Sequence, residues 1–216
     1  MNPFNYCALA YADQWLGYDK DFCKILPDRN QPEETRLKTL HEALKFYRVT
    51  RNWKGSGKER FRPLLEVFDE INFSKSSAIL DRKQIVEEVV KKLKEPAGKE
   101  TFSLATKMLW IWFKQPFIIF DQNAAASLKL NSINVNTADE YYHKWESAFN
   151  KNKSDIEEAC SQLPKQRAWL KYEYQKEIDN ELVALSGELF FHHRVFDNFL
   201  WGREERKIPW NSEYSI

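Results

Sequence analysis

Residues 101–128 read TFSLATKMLWIWFKQPFIIFDQNAAASL, and this stretch decides the fold. It is the most apolar segment of the chain, and its first part has the length of a helix rather than of a strand. Thr101 stands where an N-cap is expected. The helix should end near Pro116, because a proline lacks a backbone donor and pushes the preceding residue out of the α region. The run Ile118–Phe120 is too short and too β-branched to assign from its pattern. Asp121 then has the position of an N-cap for the segment DQNAAASLKL.

Outward from this stretch the apolar residues keep helical spacing. EETRLKTLHEALKFY, residues 33–47, places Leu37, Leu40, Leu44 and Tyr47 on one face. NWKGSGK breaks that pattern, since two glycines around a serine favour a turn. PLLEVFDEI begins a helix with Pro63 near its first turn. QIVEEVVKKLK puts Ile85, Val89 and Leu93 on one side, and EPAGKE at 95–100 is a short break. TADEYYHKWESAF carries a capping box, Thr137 with Glu140. SDIEEACSQL carries a second, Ser154 with Glu157, and so reads as a separate helix. A polar helix is expected over 165–183, followed by an amphipathic one in GELFFHHRVFDNFLW. With only 6 Gly, and most prolines lying between periodic segments, the chain reads as all-α and as one domain over 1–216.

Composition narrows the function classes. The hydrophobic fraction of 43% and the aromatic fraction of 15% allow a real core and exclude a disordered chain. Cys7, Cys23 and Cys160 are far apart, so no local thiolate pair suggests a zinc ribbon or an iron–sulfur cluster. His192 and His193 lack a ligand partner at suitable spacing and read as structural or exposed. The expectation is therefore no metal and no cofactor. No basic leader and no apolar run of membrane-spanning length are seen, which gives a cytoplasmic protein with reduced thiols and no membrane partner.

Net charge is only +1, but it is segregated. KFYRVTRNWKGSGKERFR, residues 45–62, holds one acid, Glu59, among lysines and arginines. Acidic residues collect in KSDIEEAC and QKEIDNEL. A neutral protein with a local basic run can bind nucleic acid through that run.

The apolar helix, the proline turn and the motif PFIIFDQNA resemble the catalytic region of the helix-hairpin-helix base-excision DNA glycosylases. That superfamily includes endonuclease III, the adenine glycosylase and the 8-oxoguanine glycosylases. HHRVFDNFLWG is similar to the closing helix of small bacterial proteins in the 8-oxoguanine glycosylase-like group. The resemblance implies a two-lobed all-α domain with its cleft near residues 96–125, and it puts the catalytic carboxylate on Asp121. In place of the family's Gly-rich hairpin stands EPAGKETFS, with Gly98 and Lys99 the residues matched to the DNA grip. The lysine that forms a Schiff base in bifunctional members falls on Ser103, with Lys107 one turn further along the same face. A monofunctional hydrolase follows, with Lys107 as the second candidate catalytic group.

The chemistry this implies is modest. Cleaving an N-glycosidic bond passes through an oxocarbenium-like sugar, which a carboxylate stabilises while it orients water. The base must first leave the stack and enter a pocket that aromatic faces can line. Trp53, Trp110, Phe120 and Trp201 are the candidates. Arg48, Arg51, Lys54, Lys58, Arg60 and Arg62 would meet phosphates of double-stranded DNA carrying a damaged or modified base, modified phage DNA included. The protein would act as a monomer.

Each feature also has a plain structural reading. An aspartate before a helix caps it, Lys107 faces solvent or a phosphate, and the aromatic stripe LWIWF is core. Arg194 and Asp197 form a helix-surface ion pair. The alternative function is a helical module that kept the fold and binds nucleic acid or protein without chemistry.

Overall fold

The computed structural model describes residues 2–50, 53, 56–71, 78–98, 101–130, 138–170 and 178–204. Among these there are helices and no strand, so the chain is all-α. The helices are α1 Pro3–Gln14, α2 Lys20–Ile25, α3 Glu33–Phe46, α4 Arg62–Glu70 and α5 Ala78–Ala97, then α6 Phe102–Phe113, α7 Gln122–Ser127, α8 Ala138–Ser161, α9 Ile178–Ser186 and α10 Leu189–Glu204. A π-helical turn, Trp15–Asp19, joins α1 to α2, and 3₁₀ turns cover Glu59–Phe61 and Leu163–Trp169. No described helix is long and apolar enough to cross a membrane.

The chain forms two compact units. One contains residues 1–17 and 121–216, the other residues 18–120. In the first, α1 packs on α8 and α10, and α7 packs on α10. Asn2 starts α1 by accepting from the Phe4 N–H at 2.9 Å, with Pro3 at the first helical position, where a missing N–H costs nothing. Its core is aromatic. Phe4 meets Phe199 at 4.6 Å and Tyr11 meets Phe191 at 5.0 Å between ring centres. Trp145 stacks on Phe149 at 5.2 Å and takes the edges of His193 and Phe196. Ser127 at the end of α7 donates to the Leu200 carbonyl at 2.6 Å, a bond from a buried hydroxyl that fastens α7 to α10.

In the second unit α3 packs on α2, α4 on α5, and α5 on α6. Leu37, Leu40 and Leu44 of α3 are buried as their spacing predicts, and so are Val89 and Leu93 of α5. The guanidinium of Arg36, on α3, is buried and fully engaged. Nε and Nη2 donate to the Leu26 carbonyl at 3.0 and 2.7 Å, and Nη1 donates to Asp69 at 2.8 Å. One side chain thus closes the end of α2 and holds α4, because a buried guanidinium is tolerated only when its donors are satisfied.

Several local expectations change. α8 runs unbroken from Ala138 to Ser161, so Ser154 lies inside a helix and starts none. With neither Gly nor Pro between those ends, nothing interrupts it. The Thr137 box lies outside the described residues. The polar helix expected over 165–183 is instead the 3₁₀ turn Leu163–Trp169 and, later, α9 from Ile178, with 171–177 outside the described residues. α5 continues through Pro96 to Ala97 and stops at Gly98, whose φ is +71°. Thr101 occupies the N-cap position of α6 without making a cap bond. Its hydroxyl is buried and has no partner.

The positive φ at Gly98 is what ends α5. A Cβ there meets nothing within 4 Å, so the constraint is backbone strain and not space. Gly98→Ala should therefore cost about 1 kcal/mol, read as a lower denaturation midpoint at unchanged slope.

Candidate functional site

Asp121 follows directly on a segment that α6 holds. That helix stops where Lys114 takes φ +57° and donates to the Trp110 carbonyl at 2.7 Å. The chain then runs without regular structure through Phe117, Ile118, Ile119 and Phe120, all buried. A buried strand-like piece with no neighbouring strand needs other partners for its backbone. α6 supplies them at Phe120. Thr106 Oγ1 accepts from the Phe120 N–H at 3.0 Å, and Ser103 Oγ donates to the Phe120 carbonyl at 3.3 Å. The Phe120 ring rests on Phe102 at 5.0 Å. Phe120 is thereby enclosed and does not serve as an open stacking face.

The next residue begins α7. Asp121 is extended (φ −136°, ψ 143°), and its Oδ1 accepts from the Asn123 N–H at 2.9 Å. It is an N-cap, as the sequence reading expected, and it is half-buried.

In the same unit a cluster of ionisable groups senses this carboxylate. Arg194 and Asp197 on α10 form a buried pair at 2.8 Å, not the surface pair that their spacing suggested. Trp145 donates Nε1 to the other Asp197 oxygen at 2.8 Å, and the Arg194 guanidinium lies 5.2 Å over the Tyr11 ring. Burial pushes the Asp197 carboxyl up to about 6, with the Asp121 charge adding in the same direction while Arg194 and Trp145 oppose it. Tyr141 is held well above its usual range by burial, then by the charges of Asp197, Tyr142 and Asp121.

Lys107 is buried, 6% exposed, where a solvent-facing or phosphate-facing side chain was expected. Its Nζ donates to Ser103 Oγ at 2.7 Å. Helical side chains lean toward the N-terminus, so the lysine spans one turn and brings its amine to the residue four positions earlier.

The basic run is largely engaged. Lys58 pairs with Glu34, and Arg62 pairs with Glu33 and, at 2.6 Å, with Glu59. Arg60 lies 4.6 Å over the Phe61 ring, and Arg48 is exposed at φ +56°. Arg51, Lys54 and Lys99 lie outside the described residues. Trp110 is 1% exposed and belongs to the core of its unit, which corrects its assignment to a base pocket. Trp53 packs edge-on against Phe61, and Trp201 is half-buried on α10. A depression of about 280 Å³ is lined by Arg29, Arg36 and Arg62 against Glu33, Glu66 and Asp69. Its opposite charges balance, so it has no pull for an anion. Among the described residues no three His, Cys, Asp or Glu side chains are grouped to hold a metal. His192 is structural: its Nε2 bonds the Ser186 carbonyl at 2.7 Å.

The sequence reading missed Thr106 and Asp197. Thr106 had a signal, as a polar residue next to Lys107 in an otherwise apolar stripe. Asp197 had none, because an arginine three residues away suits a solvated face equally well. No protein-family model, curated protein or solved structure matches this chain.

Two outcomes follow from this geometry. Thr106→Val keeps the shape but leaves the Phe120 N–H buried and unsatisfied, and should cost about 1–3 kcal/mol in urea unfolding. The raised carboxyl at Asp197 binds a proton more tightly in the folded chain than in the unfolded one. Its contribution to stability therefore falls as pH rises from about 4 to about 6 and is level above that. Arg194→Met strands the anion, with an expected loss of about 3–5 kcal/mol at neutral pH. Without Arg194, which lowers the Asp197 carboxyl, the variant takes up its proton above pH 6, so the loss should shrink as pH falls toward 6. Melting both proteins at acid and neutral pH checks the sign.

Proposed function

We propose that this protein is a DNA N-glycosylase that hydrolyses the bond between deoxyribose and a damaged or modified base, with Asp121 as its catalytic carboxylate. The observation that carries the reading is the delivery of Asp121. A buried, non-helical run pinned to α6 through Thr106 and Ser103 ends in a half-buried aspartate at the start of the next helix. This is the arrangement that the motif PFIIFDQNA implies. A carboxylate fixed in this way stabilises positive charge developing on the sugar without having to reorganise during the reaction. The substrate is duplex DNA from which the base is rotated out.

The cap bond at Asp121 also supports a second reading, a helical binding module in which the aspartate only starts α7. The Asp121→Asn variant separates the two. Asn caps helices nearly as well as Asp, so the fold should keep its stability. Base release from a panel of modified duplexes, revealed by alkali at the abasic site, should fall by about a hundred-fold or more. Full activity in this variant would remove the catalytic assignment. The same assay reads the hydrolytic step: a borohydride-trapped adduct lost in Lys107→Ala would show that the Lys107 amine, which reaches Ser103, attacks the sugar.

A further inference from the structure

We propose that Tyr18 and Phe46 form an aromatic platform on which an unpaired nucleobase stacks, with Lys45 and Arg48 meeting the phosphates of the same strand. The proposal goes beyond the reading of Asp121 and does not depend on it.

Tyr18 lies in the π-helical turn Trp15–Asp19, and Phe46 is the last residue of α3. Turns of this kind are rare and recur at functional sites. The two rings stack with their centres 4.6 Å apart and their planes at 28°. Phe46 is supported in turn by Phe22 at 6.0 Å and by Tyr47, which meets it edge-on at 5.2 Å. The Tyr47 hydroxyl donates to Asp19 Oδ1 at 2.9 Å, and Asp19 is completely buried. This bond fastens the π-helical turn to the end of α3, so the stack is in place before any ligand arrives. Tyr18 is nonetheless 45% exposed. A ring with one face supported and the rest in water is a stacking surface for a second flat ring.

Charge decides the occupant. Exposed aromatic rings attract organic cations as well as nucleobases. The exposed charges of α2 and of the end of α3 are Lys20, Asp21, Lys24, Glu42, Lys45 and Arg48, so cations outnumber acids. A cationic ligand would meet like charge, whereas a nucleotide brings a flat base and an anion together. Lys45 and Arg48 have no ion-pair partner among the described residues. They bracket Phe46 and Tyr47 in the chain, and the Arg48 N–H donates to the Lys45 carbonyl at 3.0 Å, which sets them one turn apart. Arg48 carries a separate signal. Its φ is +56°, at the position just past a helix end where glycine fits best. The backbone there is strained, and what the strained residue presents is an exposed guanidinium.

The test is fluorescence anisotropy of a labelled DNA single strand of about ten nucleotides, titrated with the full chain. A strand of equal length without bases reports the phosphates alone. The chain should bind the strand with bases about ten-fold more tightly than the abasic one. Tyr18→Leu, which is apolar but has no π face, should remove that difference, and Tyr18→Phe should keep it. Lys45→Gln and Arg48→Gly should each lower the salt slope by about 0.7. Glycine suits the φ at position 48, so this variant removes the charge without disturbing the turn. A Tyr18→Leu protein that still prefers the strand with bases would overturn the platform. So would a wild-type chain that binds both strands alike or neither. Displacement of the strand by polyglutamate as readily as by unlabelled strand would also overturn it, and would assign the surface to an acidic protein partner. The outcome is separable from the glycosylase reading. Base-dependent strand binding in a protein that releases no base keeps the platform and removes the enzyme, and base release without that binding does the reverse.

Discussion

The bond from the Phe120 N–H to the Thr106 hydroxyl sets where the informative part of this chain begins and ends. Four apolar residues run through the interior of a helical protein without a strand beside them, and their polar backbone has to be satisfied there. At Phe120 α6 meets this need with two side chains one turn apart, Ser103 and Thr106. Once Phe120 is fixed at both its N–H and its carbonyl, Asp121 follows in an extended conformation and caps α7. A helix that looks like simple core therefore has a second role, since its few polar residues hold the backbone of Phe120, the residue before Asp121. Lys107 belongs to the same set through its bond to Ser103.

The buried charges follow a different logic. Arg194, Asp197 and Trp145 satisfy one another inside an aromatic core. Such a pair gains little over apolar packing, because desolvating both ions offsets most of their attraction. What it adds is definition. Asp197 accepts from one partner on its own helix and from another on α8, so it fixes the register of α10 against α8. Arg36 does similar work in the other unit, where one guanidinium joins the end of α2 to α4. These polar points orient cores that leucines and phenylalanines alone would fill less uniquely.

The basic run shows how charge on paper differs from charge in space. Its residues are spread along a segment that α3 accompanies, and the first turn of α3 is acidic. Glu33 and Glu34 take up Arg62 and Lys58, and the positive field that remains moves toward the other end of α3, where Lys45 and His41 stand near Arg60. Exposed pairs of this kind contribute little stability. They do redistribute the potential that a polyanion would meet.

By itself the sequence determined the helical class, most of the helix faces and the cap at Asp121. These depend on local rules: apolar spacing of three and four, and a side chain that reaches an N–H two residues away. It misjudged Ser154, since a capping box is a local signal that a continuous helix overrides when nothing breaks it. Only the tertiary structure decided what each polar side chain near the site does. Lys107 and Arg194 looked solvated because their neighbours in sequence are indifferent to burial. Their partners come from packing, and burial is a property of the whole fold. The same holds for Trp110, whose place in the core depends on what α6 packs against.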